Sequence, residues 1–350
     1  MWSPQRVRYW VDLNDLPGGP PSSAHPSASY AATPLLPAHP AHFRPPGRND
    51  NAEMPPRHIL IVNSRNVSQP VFVIGAPHSG AESVGRALKI SPGFHVTIGR
   101  QSVLQAVYGF ARRPSLYSGR GDAAAAVMRD AFAQGWQITP TSCLDCAPRC
   151  RSAGGLRTSE VGPCAELRGL ERFGDASPDL AYCADALIAA FPDALIIQVV
   201  RDGRDTVAAM LADEVAMSWF RPSVVNIETE FPNPFYGVED ESDRLAWPGL
   251  SSAGKSALRW RGAIRLAARL RRSLPPDQLK TLRYEDVARD PHAAATTLTD
   301  FTGTKIAAPV TPTTKHAKQE QNAWRRSLSY SQLAEVEKVA GEELRKLGYK

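Results

Sequence analysis

A short apolar run followed by a glycine-bracketed turn constrains the fold of this chain more than any other stretch. Val71–Ile74 has the length and β-branched content of a buried strand. The run ends at Gly75, a second glycine stands at Gly80, and residues 82–88 have the composition of a helix start. Strand, turn and helix N-terminus together predict an anion cradle, because the first N–H groups of a helix and its dipole favour negative charge.

The glycine spacing is that of a phosphate loop, but the residues that follow differ from those of a nucleoside-triphosphate loop. Ala81-Glu82 stand after Gly80, at the place where Lys-Ser or Lys-Thr would follow. An ordinary strand-to-helix turn is the alternative, since short glycine motifs carry little information. The turn therefore predicts an anion site, but not a standard nucleoside-triphosphate site.

A second apolar run leads into a turn rich in arginine and aspartate. Residues 194–200 have the composition of a central parallel strand, and Arg201-Asp202-Gly203-Arg204-Asp205 comes directly after them. Ligands of open α/β sheets bind at the carboxyl ends of the strands. Arginine offers a two-pronged donor to phosphate, so Arg201 is a candidate phosphate ligand. A network of surface Arg–Asp pairs is the alternative.

Five ordered segments resemble sulfotransferases that use 3′-phosphoadenosine 5′-phosphosulfate (PAPS). They are the loop at residues 75–80, FPDA with RDGRD within 191–205, LRYEDV at 282–287, NAWRR at 322–326 and LGY at 347–349. A further segment, GDASP at 174–178, is also similar to one of the family. The resemblance covers about residues 69–350. It implies an α/β fold with a central parallel sheet flanked by helices, in the P-loop-like sulfotransferase form with a helical cap.

The resemblance also implies which residues hold the donor. The 3′-phosphate would be bound at Arg201, with Ala209 at the place of a serine that relatives use, and Trp324 and Arg325 would help to hold the nucleotide. The predicted contacts of the 5′-phosphosulfate are Gly75, Ala76, Pro77, His78, Ser79, Gly80, Ala81, Glu82 and Ser83.

The chain departs from the family pattern at positions that bear on catalysis. Relatives carry Arg or Lys at His78, Thr at Ala81 and Lys at Ala176. We predict that His78 donates to the leaving oxygen, because a histidine changes its charge near neutral pH. His95, Asp175 and Glu82 compete for the role of the base.

The predicted function is transfer of a sulfuryl group from PAPS to a hydroxyl or amine of a small-molecule acceptor. The rival is a non-catalytic nucleotide-binding or scaffold protein on the same fold. The net charge of +6 and pI near 9.1 fit an anionic ligand, but they do not predict a nucleic-acid partner. A basic leader with an apolar segment is missing, as is a run of 18 apolar residues, so we expect a cytoplasmic protein without a membrane partner. The acceptor and the oligomeric state are not specified by the sequence.

The N-terminal stretch differs in composition from the rest. Residues 1–57 hold 12 of the 30 prolines and show no helical or strand period. We therefore predict a disordered, proline-rich arm over residues 1–68 and a sulfotransferase-like domain over residues 69–350. His58–Val62 is a candidate for an added edge strand.

Four of the five cysteines cluster in the sequence, at Cys143, Cys146, Cys150 and Cys164. Their spacing could suit a structural zinc ion held by four thiolates. Free thiols or a local disulfide are the alternative, and the odd total opposes a complete disulfide framework.

Three further segments carry weaker predictions. Residues 101–135 predict helices that cap the acceptor site. The insertion at residues 220–249 contains Phe231, Phe235, Tyr236 and Trp247, which are candidates for an acceptor lid or for simple packing. Residues 249–256 match a nucleoside-triphosphate loop literally, which would suit a kinase using ATP and Mg²⁺, but no strand precedes them.

Overall fold

A five-stranded parallel sheet forms the centre of the structure, a computed structural model that describes residues 59–118, 121–157, 160–306 and 321–349. The strands are β1 (Leu60–Val62), β2 (Arg65–Val67), β3 (Val71–Gly75), β4 (Phe94–Thr97), β5 (Arg172–Asp175), β6 (Leu195–Val200) and β7 (Leu279–Arg283). Strands β3 to β7 build the sheet in the order β4-β5-β3-β6-β7, and every pairing is parallel. The predicted strands at residues 71–74 and 194–200 are confirmed as β3 and β6.

Helices flank this sheet, as the predicted α/β class requires. They are α1 (Ala81–Ile90), α2 (Gln101–Arg112), α3 (Gly121–Gly135), α4 (Pro148–Ala153), α5 (Ala184–Ala190), α6 (Gly203–Leu211), α7 (Glu214–Ser218), α8 (Glu241–Ala246), α9 (Ser252–Ser273), α10 (Tyr284–Arg289), α11 (Pro291–Thr302), α12 (Trp324–Ser327) and α13 (Tyr330–Lys346). None of the described helices is both long and apolar enough to cross a membrane.

Each face of the sheet packs into its own core, because successive strand residues point to opposite faces. Phe72 and Ile74 belong to the larger core, which takes in α2, α3, α5, α6, α9 and α13. Val71 and Val73 belong to the smaller core, with α1, α10, α11 and three cysteines. Strand β3 is buried on both faces, as expected for the centre of a parallel sheet.

The predicted edge strand at residues 58–62 does not join this sheet. Leu60–Val62 pairs antiparallel with Arg65–Val67 in a separate two-stranded ribbon. Val62 is fully buried in the larger core, and the Asn63 side chain exchanges hydrogen bonds with the backbone of Trp136 and Ile138. Residues 59–68 therefore belong to the folded part, which corrects the predicted arm at that end. The rest of the arm lies outside the described residues.

The predicted acceptor lid is mostly core. Phe235 and Tyr236 are fully buried, Trp247 is buried, and all three pack edge-on against other aromatic rings. Only Phe231 of the four is largely exposed. The predicted capping helices exist as α2 and α3, and both contribute buried side chains to the larger core.

Candidate functional site

The predicted cradle lies at the carboxyl end of the central strand. Gly75 ends β3, and α1 begins at Ala81 after an N-cap at Gly80 with a φ of 95°. A side chain on Gly75 would overlap Ser79 and the Val199 carbonyl, and one on Gly80 would overlap the Tyr284 ring. Both glycines are therefore required for the tight path of this loop.

The start of α1 is open to an anion. Gly80 provides no side-chain cap, so no side chain at the N-cap accepts from the first N–H groups of the helix. The Ser79 hydroxyl is buried and has no hydrogen-bond partner among the described residues. A buried hydroxyl without a partner is costly, and a bound oxyanion would offer it an acceptor.

Arg201 lies directly beside this loop. It follows the last residue of β6, is buried, and donates through Nη1 to the His78 carbonyl oxygen at 3.1 Å. Its guanidinium stacks over the Tyr284 ring at 4.7 Å, and the same ring packs over Gly80. The structure thus brings together the two segments predicted to bind the donor's phosphates.

His78 projects from the loop with a φ of 61° and meets a carboxylate. Its Nε2 lies 3.0 Å from Asp213 Oδ2, and each side chain is about one-third exposed. Asp213 also caps α7 by accepting from the Val215 N–H. The hydrogen bond with His78 is the main cause that lowers the Asp213 pKa below its usual range.

Trp324 and Arg325 are held at the same edge by α6. Asp205 accepts the backbone N–H groups of Asn322 and Trp324 at 2.8 and 3.0 Å. The guanidinium groups of Arg204 and Arg325 stack on the Trp324 ring at 4.4 and 4.6 Å. Trp324 is buried, and its indole N–H has no hydrogen-bond partner among the described residues.

Comparison with protein families finds one match, over the part of the chain that carries this site. A model described as "Sulfotransferase family" matches residues 70–237, which include the cradle, Arg201 and Asp213. This part of the chain, slightly less than half of its 350 residues, thus matches the sulfotransferase family. The segments around Tyr284 and Trp324 lie beyond the matched residues.

Solved sulfotransferase structures are similar to the chain at low identity. The sulfotransferase domain of the Synechococcus PCC 7002 olefin synthase is 15% identical with a TM-score of 0.42, over 80% of this chain and 96% of that one. A sulfotransferase from Alicyclobacillus acidocaldarius is 16% identical with a TM-score of 0.39, over 79% of this chain and 97% of that one. No curated protein sequence matches the chain.

Glu82 is not placed to act as a base. One carboxylate oxygen accepts from Arg86 at 2.8 Å and the other from Arg149 at 2.7 Å. The two arginines therefore neutralise the Glu82 carboxylate, and Arg149 links the first turn of α1 to α4.

Asp175 and His95 lie below the edge at which the donor would bind. The Cα of Asp175 pairs with Phe72, three residues before Gly75, and His95 pairs with Phe173, two residues further down. Asp175 is fully buried and accepts from Thr97 Oγ1 at 2.5 Å and from the Ser177 N–H at 2.7 Å. Burial raises the Asp175 pKa to about 7, against the effect of these hydrogen bonds.

His95 is also buried, and unlike Asp175 its side chain makes no hydrogen bonds to the described residues. Neither ring nitrogen has a hydrogen-bond partner among the described residues. Burial, followed by the nearby Lys89 charge, lowers the His95 pKa to about 3. Depth and burial therefore oppose a direct catalytic role for either His95 or Asp175, contrary to the sequence-based expectation.

The remaining predicted positions have simpler surroundings. Ala209 lies half-buried on α6, two turns after Arg201, and supplies no donor. Ala176 packs against Gly85 of α1, so this family position contributes no charge here. No group of three or more His, Cys, Asp or Glu residues in the described part of the chain is arranged to hold a metal ion. The zinc alternative thus finds no support.

Sequence reasoning missed Asp213, Asp205, Arg204 and Arg149. Each contacts a predicted site residue from a distant part of the chain, and Asp213 is 135 residues away from His78. Arg204 and Asp205 belong to the RDGRD segment, so that segment could have marked them as site residues. Asp213 and Arg149 lie outside the quoted motifs, and no local pattern marked them.

Proposed function

We propose that this protein transfers a sulfuryl group from PAPS to a hydroxyl or amine of a small-molecule acceptor. Family membership supports sulfuryl transfer in general. The donor is inferred from the cradle, since an uncapped helix start beside a buried arginine suits a phosphosulfate. The residues around Gly80, together with Ser79, would hold the 5′-phosphosulfate. Arg201 would bind the 3′-phosphate, and Trp324 and Arg325 would support the nucleotide.

The proposed reaction is an in-line displacement at sulfur. The acceptor oxygen or nitrogen forms a bond to sulfur and loses its proton to solvent water, while the bond between sulfur and the bridging oxygen breaks. The leaving group is adenosine 3′,5′-bisphosphate, whose 5′-phosphate gains charge as that bond breaks. Backbone donors of the cradle and a protonated His78 would stabilise this charge, which is where catalysis has most effect.

The observation that carries the proposal is the contact between Arg201 and the cradle. Nη1 of Arg201 donates to the His78 carbonyl, so a cation from β6 lies against the loop after β3. Four titratable residues were predicted for catalysis. His95 and Asp175 are buried, and Glu82 is paired with two arginines. His78 is partly exposed and has no such pair of arginines. The chemistry is therefore assigned to His78, whose ring Asp213 holds in place at 3.0 Å.

A non-catalytic nucleotide-binding protein is the second candidate. It is favoured by the substitutions in the cradle, where a histidine engaged with Asp213 stands at a family Arg or Lys and where Glu82 adds a carboxylate. In that case the cradle binds the nucleotide but does not stabilise the leaving charge. Both candidates require nucleotide binding, but only the enzyme turns PAPS over. A cytoplasmic location is still a prediction for both candidates.

Isothermal titration calorimetry with adenosine 3′,5′-bisphosphate tests the shared part. Arg201→Ala should weaken affinity by about 1.5–3 kcal/mol, the range for hydrogen bonds to charged groups. Arg201→Lys, which keeps the charge but loses the fork, should fall between Ala and wild type. Equal affinity in all three proteins would remove the phosphate role of Arg201.

Turnover of ³⁵S-labelled PAPS separates the two candidates. An enzyme releases labelled sulfate or labelled product faster than a heat-denatured sample does, whereas a binding protein retains intact PAPS. Nucleotide binding without any release of label would reject the enzyme and leave the binding protein.

A further inference from the structure

An arginine from outside the recurrent segments lies at the donor cradle. Arg149 is the second residue of α4, which packs against α1. Its Nη1 donates to Glu82 Oε2 at 2.7 Å, in the first turn of α1. Only 19% of the Arg149 side chain is exposed, so the guanidinium is largely enclosed next to the helix start that would hold the 5′-phosphosulfate.

The same guanidinium lies against the turn after β4. A Cβ on Gly99 would stand 3.1 Å from Arg149 Nη2 and 3.5 Å from its Nε, so a side chain there would press on the guanidinium. Gly99 has a φ of 70°, which also favours glycine. Its N–H donates to Ser177 Oγ at 2.8 Å, just after the end of β5. Arg149 therefore lies where the chain leaves β4 and β5, on one side of the cradle after β3.

Arg201 lies on the opposite side of the cradle. The sheet order β4-β5-β3-β6-β7 puts β5 and β6 on either side of β3. Arg201 follows β6, and its Nη1 donates to the His78 carbonyl oxygen. Two guanidinium groups therefore flank the cradle, that of Arg201 from the side of β6 and that of Arg149 from the side of β4 and β5.

The anionic groups of PAPS follow the same order. Along the molecule, the 5′-phosphate lies between the 3′-phosphate and the sulfuryl group. The 5′-phosphate is assigned to the cradle, where the buried Ser79 hydroxyl has no hydrogen-bond partner among the described residues. With the 3′-phosphate at Arg201, the sulfuryl group would extend towards Arg149. A guanidinium suits this group, because its hydrogen bonds to oxyanions are charge-assisted.

The charges around Glu82 favour an anion at this place. The Glu82 carboxylate is shared by Arg149 and Arg86, with one arginine on each oxygen. Together the three groups carry one net positive charge, although a carboxylate stands in the first turn of the cradle's helix. The exposed fractions of the three side chains lie between 19% and 34%, so water screens this charge only in part.

Arg86 offers an internal comparison for Arg149. It lies on α1 itself, four residues after Glu82, and donates through Nε and Nη2 to the same oxygen, Oε1, at 2.9 and 2.8 Å. Its guanidinium is thus directed at Glu82 from one turn further along α1. Arg149 is the one of the two that lies against Gly99. The two arginines therefore carry the same charge next to the same carboxylate, but they differ in position relative to the cradle.

We propose that Arg149 binds the sulfuryl oxygens of PAPS and so gives the site a preference for PAPS over adenosine 3′,5′-bisphosphate, which lacks that group. This inference rests on the proposed function. Arg149 neither gives nor takes a proton in the reaction, and its N–H groups hold the sulfuryl oxygens while sulfur passes from the bridging oxygen to the acceptor. A guanidinium held by Glu82 and accommodated by Gly99 orients the sulfuryl group for in-line attack.

Isothermal titration calorimetry with PAPS and with adenosine 3′,5′-bisphosphate, both without acceptor, tests this role through the ratio of the two affinities. Anion-exchange chromatography after each titration checks that PAPS is intact. Arg149→Gln should weaken PAPS binding by about 10-fold or more, as expected for a lost hydrogen bond to a charged group, and should weaken bisphosphate binding much less. Arg86→Gln removes the same charge and is the matched control, so its ratio should equal that of wild type.

The outcomes separate this inference from the proposed function. A wild-type ratio in Arg149→Gln would overturn the role of Arg149 and leave the donor proposal standing, as would equal affinities of wild type for the two ligands. Wild-type protein that binds neither ligand would overturn both. Thermal unfolding without ligand shows whether each variant is folded. If Arg149→Gln is not, Arg149→Lys decides, because it keeps the charge but loses the fork. Its ratio should be intermediate, and an unchanged ratio would contradict the inference.

Discussion

His78 is the position at which the chain departs most clearly from the sulfotransferase pattern that its sequence resembles. Its backbone φ of 61° suits a short polar side chain, and its carbonyl receives the Arg201 guanidinium. Its ring pairs with Asp213. The Arg or Lys of the family pattern would carry a permanent charge at this position. A histidine stabilises a leaving oxygen as a cation only while its ring is protonated, so we expect the proposed transfer to depend on pH.

Replacing His78 tests its part in the reaction. We expect His78→Ala to reduce the transfer rate by about 10²-fold or more, the range for general acid catalysis, while nucleotide affinity changes little. His78→Arg restores a permanent cation, so a gain in rate would indicate that the histidine impairs the site and a loss would indicate that the chemistry uses it. Equal rates in wild type and both variants would exclude His78 from the mechanism.

Asp213 should act through His78. Asp213→Asn removes the carboxylate that pairs with the His78 ring at 3.0 Å, so the rate should fall and the pH profile of the rate should change. The measurement is the rate as a function of pH. A purely structural change would lower the rate equally at every pH and leave the shape of the profile unchanged. Asp130→Asn, an exposed acid on α3, is the matched control and should leave the profile in place.

The buried Asp175 predicts a pH dependence of folding stability. Its pKa is raised to about 7 in the folded protein, against about 3.9 when unfolded. Between these values the folded state binds more protons, so Asp175 reduces stability as pH rises from about 4 to 7, by at most roughly 1.4 kcal/mol per pH unit. Urea unfolding at several pH values should show that Asp175→Asn loses this component. Parallel curves for wild type and variant would contradict the raised pKa.

At the scale of elements, the recurrent segments contact one another. Tyr284 at the start of α10 packs between Gly80 and Arg201. The next residue, Glu285, accepts the Asp202 N–H at 2.9 Å and the Tyr349 hydroxyl at 3.1 Å. The five segments that identified the family in sequence therefore form one connected edge of the sheet. Their order could be read from the sequence, but their contacts depend on the parallel sheet that brings them together.

The link between α6 and α12 should control the nucleotide platform. Asp205→Ala removes the acceptor of two backbone N–H groups, at Asn322 and Trp324. We expect faster hydrogen exchange over residues 322–328 and about a 10-fold loss of affinity for adenosine 3′,5′-bisphosphate, since such bonds to a carboxylate contribute about 1.5–3 kcal/mol. Asp240→Ala, which removes the cap of α8, is the control. Unchanged exchange in Asp205→Ala would show that Trp324 is held in another way.

Over the whole molecule, the sequence predicted the elements whose own residues carry the pattern, but it did not predict which side chains are buried. Strands β3 and β6 and helix α1 were predicted because their residues carry the pattern themselves. The aromatic insertion was ambiguous, since Phe235 and Tyr236 have the same composition in a lid as in a core. Strands β1 and β2 pair with each other and not with the sheet. This pairing depends on long-range contacts, such as that of Asn63 with Trp136, which the local sequence does not show. His95 and Asp175 are chemically suitable but lie at the wrong depth in the sheet.

Two glycine patterns were considered above as phosphate loops, and of these the one at residues 75–80 follows a strand, β3. The second pattern, at residues 249–256, leads into α9 after a short helical turn. There Ser251 accepts the Ala253 N–H at 3.1 Å, and Glu335 accepts the Ser251 N–H at 3.0 Å. A serine cap and a carboxylate therefore occupy the helix start that a phosphate would need. The Lys255 ammonium lies over the Trp247 ring at 5.3 Å.

Lys255→Ala should consequently leave nucleotide binding unchanged, whereas Arg201→Ala should weaken it. Each variant removes one cation next to a glycine pattern, so the two form a matched pair. Thermal unfolding is the measurement: adenosine 3′,5′-bisphosphate should raise the midpoint of wild type and Lys255→Ala equally, because a ligand that binds the native state stabilises it. ATP with Mg²⁺ should raise neither by a comparable amount. A larger shift with ATP that disappears in Lys255→Ala would place the nucleotide at the start of α9 and reject the cradle after β3 as the binding site.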